Sequence, residues 1–410
     1  MVSETEIRHL CGPGSRLGDE SVARPEIALL LSTYQKPWHL ARVLTSIAMQ
    51  KGVLERMELV VTDDGSTDDT YQIVRDFAKT VPFPVCFTTH RHEGFQLSRC
   101  HNEGAAASQA PYLLILDGDC VLPPDHVEKH LRHRKQHVTM AGYYYRLDRE
   151  TSSRIDDDLI RAGDCFAWRP REEHRFLNRL DWKSRFYQAI GHPTKPKLFG
   201  GNIGVWRKDF ERVNGFDEQF VGWGCEDDDF RLRLRRAGIH IQSILRWTRT
   251  YHLWHPPATT APQAWRDGLN VEYLNRTGRL TRCMQGQVRR HVSDLAVRVV
   301  GEPERPDVAE ALLTSHGLTI SNSRSAEIEV LFLPGKGRFG KKADCRLLVA
   351  FEQTNQPVKH ADLVVSNQPI AGVNPKQQFP LEQFGKAIET IVGGQTEWSA
   401  FGNRNEDAAA

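Results

Sequence analysis

No apolar stretch in this sequence approaches the roughly 20 residues needed to cross a bilayer as a helix. No apolar run follows the initiator Met, so a secretory signal is not expected. Cysteine is sparse, eight among 410 residues, and no two form a CxxC pair. That spacing argues against a disulfide frame or structural zinc and points to a reducing compartment, the cytoplasm. Charge of one sign is also missing. A formal net charge of +2 gives no whole-chain field to draw the protein to nucleic acid. An HExxH helix is absent, which leaves a zinc protease unsupported. With 40% hydrophobic and 26% charged residues, the chain is expected to be globular, and its length suits one large α/β domain with a smaller companion or two mid-sized domains.

Residues 1–24 mix charge, glycine and proline without a sustained period and read as an N-terminal arm. Strand-length apolar runs then alternate with helical spacing. IALLLST, MELVVTDD, PVCFTTH and YLLILDGD are the runs. WHLARVLTSI, YQIVRDFAK, Leu97–Gln109 and Pro124–His137 are the intervening helices. This alternation predicts a Rossmann-like, mostly parallel sheet covered on both faces. Between Asp148 and Pro196 the only clear element is a helix near His174–Ile190. EDDDFRLRLRRAG is a helix ending at Gly238, and IHIQSIL and RWTRTYHLW are late strands. The main domain is thus expected over 25–262 and an Arg-rich helical extension over 263–300. After the Pro- and charge-rich GEPERP, a small C-terminal α/β module of unassigned role spans 301–410. The Arg-rich stretch reads first as a plain surface helix and second as a peripheral membrane contact.

In open α/β sheets, ligands bind beyond the C-terminal strand ends. Thr33 and Tyr34 end the first strand, Asp63 and Asp64 the second, and Asp117 and Asp119 the fourth. All three groups should therefore share one rim. The two carboxylates of the DGD lie two residues apart on extended backbone and point to the same side. Their hard oxygens suit Mg²⁺ or Mn²⁺ bridging to phosphates, and Gly118 leaves room for the ligand. A polar strand-end turn is the plainer reading of such a motif. Asp63 could accept from a nucleobase imide, whereas Asp68 and Asp69 fit the start of a helix. Four acids, Glu226–Asp229, open a helix behind Gly222, Trp223 and Gly224. Dipole complementation needs one or two. A carboxylate here could deprotonate an acceptor hydroxyl, and the Trp223 ring could face a pyranose. In YHLWHPP, His252 or His255 could complete a metal shell beside the DGD. A packed or surface role suits either imidazole taken singly.

Together these segments resemble the nucleotide-diphospho-sugar glycosyltransferases of family 2, with a GT-A fold. IALLLSTYQKP resembles their opening strand and VVTDDGSTDDT their nucleoside-binding segment. FQLSRCHNEGAAASQAPYLLILDGDCVLPPD resembles the helix leading into the DxD motif. GGNIGVWRKDFERVNGFDEQFVGWGCEDDDFRLRLRRAG resembles the acceptor segment of galactosyltransferase-type and chondroitin-polymerase-type domains. The likeness covers Ile27–Pro257. It implies that Thr33, Tyr34 and Asp63 hold the nucleoside and that Arg99 and Asn102 contact the donor, although Cys100 and His101 depart from the commoner Arg-Asn pair. It further implies Asp117 on the ribose or donor sugar, with Gly200, Gly201 and Asn202 lining the sugar pocket. Asp119 would bind Mn²⁺ or Mg²⁺ with His252, or with His255 as second choice. Asp227 would be the catalytic base, and Glu226, Asp228 and Trp223 would bind the acceptor.

The expected activity is metal-dependent, inverting transfer from a nucleotide-diphosphate sugar, UDP-linked by preference. The acceptor would be the hydroxyl of a saccharide or lipid-linked saccharide, as in polysaccharide or glycoconjugate synthesis. Two alternatives compete. A sugar nucleotidyltransferase would want a Gly-rich, cationic loop where this chain has STYQKPWH. A non-catalytic carbohydrate-binding or scaffold protein would not need the DGD and EDDD.

Overall fold

The computed structural model describes residues 5–10, 24–192, 194–258, 261–276, 279–321, 326–340, 343–353, 360–370 and 373–393. The chain divides into two compact units, Met1–Asn270 and Val271–Ala410. The first begins with β1 (Glu6–Leu10), β2 (Ile27–Thr33), α1 (Pro37–Ala48), β3 (Met57–Asp63), α2 (Thr70–Ala78), β4 (Val85–Thr89), α3 (Leu97–Ala106), β5 (Tyr112–Asp117) and β6 (Cys120–Val121). It continues with α4 (His126–His133), β7 (Val138–Ala141), β8 (Tyr144–Arg146), α5 (Arg149–Arg154), α6 (Asp157–Ala162) and α7 (Arg171–Ala189). It closes with β9 (Asn202–Trp206), α8 (Arg207–Arg212), α9 (Glu226–Arg236), β10 (His240–Ser243) and β11 (Thr250–His252).

Eight strands form one sheet in the order β1-β4-β3-β2-β5-β9-β7-β10. All run parallel except β1 and β9. The apolar strand runs are continuous because both sheet faces are buried. Ile27, Leu29 and Leu31 of β2 join Leu40, Val43 and Ile47 of α1 on one face. Ala28 and Leu30 join Phe210 of α8 and Phe230 and Leu234 of α9 on the other. A side-chain period of two sends alternate residues to opposite layers. A second, small sheet, β6-β11-β8, stands just after the DGD.

Two sequence expectations change here. Within the supposed arm, Glu6–Leu10 is an edge strand antiparallel to β4. Its mostly exposed side chains carry no apolar alternation; main-chain pairing places it, helped by Arg8 over the Tyr71 ring at 4.4 Å and by Leu10 against the core; residues 1–4 and 11–23 lie outside the described residues. The Arg-rich segment 263–300 is not a helical extension. Among its described residues only Val271–Leu274 is α-helical, and Ala296–Val299 is a strand parallel to Ile328–Leu333. Its arginines are drawn into ion pairs, Arg290 with Glu327 at 2.7 Å and Arg298 with Glu329. The second unit therefore begins well before GEPERP. It is a six-stranded, wholly parallel sheet with helices Pro306–Ser315 and Phe384–Val392. The seven described cysteines are all buried free thiols. No helix of the described residues is long and apolar enough to cross a membrane.

Candidate active site

Strand register builds the rim. Asp63 of β3 pairs with Thr33 of β2, and Ser32 pairs with Asp117 of β5. The turns that follow are tied to the same strand end: the Asp64 amide donates to the Thr33 carbonyl at 3.1 Å and the Gly118 amide to the Ser32 carbonyl at 2.8 Å. A Cβ on Gly118 would lie 2.6 Å from that Ser32 oxygen. Gly118 thus makes room for β2, not for a ligand as its sequence suggested.

Asp63 Oδ2 accepts from the Ser66 amide (2.9 Å) and Thr89 Oγ1 (2.8 Å). Its Oδ1 and the neighbouring Thr33 Oγ1 are buried with no hydrogen-bond partner among the described residues. Buried acceptors are normally satisfied, so such an oxygen marks a place for a donor from elsewhere. Beside it the Tyr34 ring stacks on His92, centroids 4.2 Å apart and planes 8° apart. A flat platform next to an orphan carboxylate oxygen suits a nucleobase with an imide N–H.

The DGD leads through β6 toward β11, and the Leu253 amide donates to the Asp119 carbonyl at 2.9 Å. This returns the YHLWH segment to the motif across more than a hundred residues. His255 Nε2 lies 3.1 Å from Asp119 Oδ2, and His252 Nε2 lies 3.5 Å from Oδ1. Lys36 Nζ reaches Asp119 Oδ2 at 2.8 Å. Burial pushes the Asp119 carboxyl upward, but the His255 hydrogen bond and the Lys36 and His252 charges outweigh it and hold the group well below the usual carboxylate range. Burial pushes His252 down, whereas the hydrogen bond to Asp119 pushes His255 up. One carboxylate and two imidazoles offer ligand atoms within 4.8 Å of one another. That donor set fits a divalent ion, with the two nitrogens favouring Mn²⁺ over Mg²⁺. Both histidines gather at Asp119, where the sequence offered a first and a second choice.

The third acidic group arrives on α9. Cys225 caps this helix at φ 77°, after Gly222 and Gly224 at φ 81° and 96°. The loop before β9 then joins Asp227 to the DGD. A Cβ on Gly201, whose φ is 79°, would stand 2.2 Å from Asp117 Oδ2; one on Gly200 would stand 2.8 Å from Asp227 Oδ2. Asp117 and Asp227 therefore pack against two consecutive residues without side chains. Burial, with the charges of Asp119 and Asp227, pushes Asp117 up to about 7. Burial, with its acidic neighbours, pushes Glu226 up to about 7 and Asp227 well above the carboxylate range. Asp227 Oδ1 and Glu226 Oε2 are buried without a partner among the described residues. Asp228 instead pairs with Arg231 (2.8 Å) and Lys197 (3.3 Å). Asp229 and Arg233, both fully buried, bond at 2.6 Å, and Arg233 also donates to the Val213 and Gly215 carbonyls. The four acids thus divide into two carboxyls that each keep one buried oxygen without a partner and two ion-paired ones.

Three residues singled out by sequence, Asn102, Asn202 and Arg99, are held by neighbouring side chains or backbone. The Asn102 amide holds the Phe216 backbone and Glu218 Oε1 at 2.9 Å each, so it fastens the loop before α9. Asn202 is fully buried, with Oδ1 on His130 at 2.9 Å, because its position on β9 turns it toward α4. Arg99 bonds Glu103 one helical turn away at 2.7 Å. Trp223 is 42% exposed on the loop before α9. Lys36, missed by sequence reading, lies in STYQKPWH, and its position just past a strand end was the available signal. Also missed was a buried bridge: His90 bonds Asp64 at 2.9 Å and Glu103 at 2.8 Å. Burial disfavours its charge, but the two carboxylates raise it to about 9. Asp64, His90 and Cys100 also gather closely, yet both His90 nitrogens are already engaged.

Residues 29–205 match the family described as Glycosyl transferase family 2, and residues 185–256 match the N-terminal domain of galactosyltransferase. The first unit carries a family 2 glycosyl transferase domain. Its mostly parallel sheet with the DGD at the rim is the GT-A arrangement. Among relatives, validoxylamine A glucosyltransferase of Streptomyces hygroscopicus subsp. jinggangensis is 28% identical over 241 residues, covering 52% of each chain. Chondroitin synthase of Escherichia coli is 26% identical over 234 residues, covering 53% of this chain and 33% of that protein. Human β-1,4-galactosyltransferase 4 is 40% identical over 105 residues, covering 24% of this chain and 28% of that protein. The chain spans about half the length or less of these curated relatives. The two matched segments overlap over residues 185–205, which include Gly200, Gly201 and most of β9.

Proposed function

We propose that this protein is a metal-dependent, inverting glycosyltransferase that moves a sugar from a nucleotide-diphosphate donor, UDP-linked by preference, to a saccharide or lipid-linked saccharide hydroxyl. The observation that carries this reading is the meeting of Asp119, His252 and His255 with Asp117 and Asp227 across the Gly200–Gly201 backbone. Asp63 Oδ1 and Thr33 Oγ1 accept from the base, and the Tyr34–His92 pair offers it a stacking face. Asp119, His252 and His255 would hold Mn²⁺ or Mg²⁺; when bound, such an ion offsets the negative charge that develops on a departing diphosphate. Asp117, against Gly201, faces the donor sugar or ribose. Lys36 adds a cation beside the same carboxylate.

Asp227 supplies the base. Its raised affinity for protons and its orphan Oδ1 suit a carboxylate that removes the acceptor proton as the oxygen attacks the anomeric carbon. Glu226 Oε2 is placed to accept from a second acceptor hydroxyl. A single displacement from the face opposite the diphosphate inverts the anomeric centre. The test is thermal stabilisation by UDP-glucose, UDP-galactose, UDP-N-acetylglucosamine and GDP-mannose, with Mn²⁺ or with EDTA, followed by donor turnover. At least one donor should raise the melting temperature only with metal and then be turned over. Full turnover in EDTA removes the metal from this reading; no stabilisation by any donor removes the transferase.

A further inference from the structure

A cationic hollow lies beside the candidate active site and is not used by the roles above. Its base is α7, in which Arg171, Arg175, Arg179 and Lys183 recur every four residues and so form one row along the helix. The helix buries Leu177, Asp181 and Ser184. Arg175 and Arg179, with Arg146, Phe176, Glu172 and Glu173, line a hollow of about 430 Å³. The same two arginines continue with Asn178 and Trp182 into a second hollow of about 470 Å³. Phe176 is 39% and Trp182 62% exposed, unusual for rings of this size. Neither Arg175 nor Arg179 makes an ion pair among the described residues.

The hollow adjoins the chemistry through β8. Arg146 is the register partner of His252 on β11. Tyr144, two residues before it, stacks on the His252 ring with centroids 4.6 Å apart. Arg146 also donates to the Tyr143 hydroxyl at 2.5 Å, and the Tyr143 and Phe176 ring centroids lie 6.2 Å apart. A chain of contacts through the buried Tyr143 therefore links the imidazole at Asp119 to the middle of α7. Guanidinium forks bind carboxylates bidentately, and exposed aromatic faces suit the apolar faces of sugar rings. Glu173 Oε2, buried without a hydrogen-bond partner among the described residues, can accept from a sugar hydroxyl. Ring faces and a buried, unpartnered acceptor oxygen beside the arginines favour a saccharide over a membrane surface.

We propose that the groove formed by Arg146, Arg175, Phe176, Arg179 and Trp182 is an acceptor subsite for a saccharide chain bearing carboxylates. This rests on the transferase reading, since it assigns the acceptor side of that site. The test is calorimetric titration, without donor or metal, of a short oligogalacturonate and its carboxyl-reduced, neutral counterpart. Wild type should bind the charged chain, lose affinity with added salt, and bind the neutral chain far more weakly. Arg175→Ala/Arg179→Ala should weaken binding at least about tenfold, while Arg132→Ala, a lost surface cation on α4, should leave it unchanged. If the double variant melts early, Arg179→Gln alone should still weaken binding.

Equal affinity for the two chains, unchanged affinity in the groove variants, or an equal loss in Arg132→Ala overturns the proposal. Binding to phosphatidylglycerol vesicles without binding to oligogalacturonate also overturns it and assigns α7 to a membrane surface. Binding is read without turnover, so failure of donor chemistry and failure of the groove are separate results.

Discussion

Alanine at Gly201 should impair turnover far more than it impairs stability, and alanine at Gly52 separates the two effects. Both glycines have left-handed backbone, φ 79° and 71°. A left-handed conformation costs an L-residue about 1–2 kcal/mol, so both substitutions carry that penalty. Around Gly52 a new Cβ meets nothing within 4 Å, whereas at Gly201 it would lie 2.2 Å from Asp117 Oδ2. A normal contact is roughly 3.5 Å, so the Asp117 carboxylate must move by about 1 Å. A misplacement of that size at a reacting centre costs about 10²-fold. Urea unfolding should show losses of about 1–2 kcal/mol in each variant. Sugar-nucleotide turnover should fall about 10²-fold only in Gly201→Ala. Equal turnover by the two variants would refute the argument that the bare Gly201 backbone sets the position of Asp117.

Three further outcomes follow from the carboxylates and the buried histidine. Asp227→Asn should still bind donor with metal but lose transfer by about 10²–10⁴-fold, and near-normal turnover would remove the base assignment. Because the folded protein raises Asp227, the wild-type rate should fall as pH drops through a value nearer neutrality than an ordinary carboxylate's; a profile flat to pH 4 would contradict this. For His90→Gln, the loss of a charge between Asp64 and Glu103 should destabilise by about 3–5 kcal/mol below pH 6.5. His90 is raised to about 9, so its contribution is complete below the ordinary histidine value and is lost as pH rises through about 9. Unfolding midpoints of wild type and variant should therefore converge in alkali, and a constant gap would show that His90 is neutral throughout.

The sequence by itself determined the layered sheet and much of its rim. β2, β3 and β5 were legible because strands buried on both faces must be apolar throughout, and each ends abruptly in polar residues. The α9 acids were legible as an excess over what a helix dipole requires. The short strands β7, β8 and β9 were not, because three to five residues carry too little period to distinguish from loop. Nor could sequence assign direction. Asn102 and Asn202 stand in segments that carry family resemblance, yet helix phase and strand pleat turn one toward Phe216 and the other toward His130.

Only the tertiary structure decided that both histidines reach Asp119 and that Gly118 accommodates a neighbouring strand. It alone brought Asp117 against Gly201 and Asp227 against Gly200, and set Arg146 opposite His252. The physical reason is the same in each case. Spacing along a chain fixes which residues share a strand end or a helix face, but distances between separate elements depend on sheet order, which is settled by packing across the whole unit.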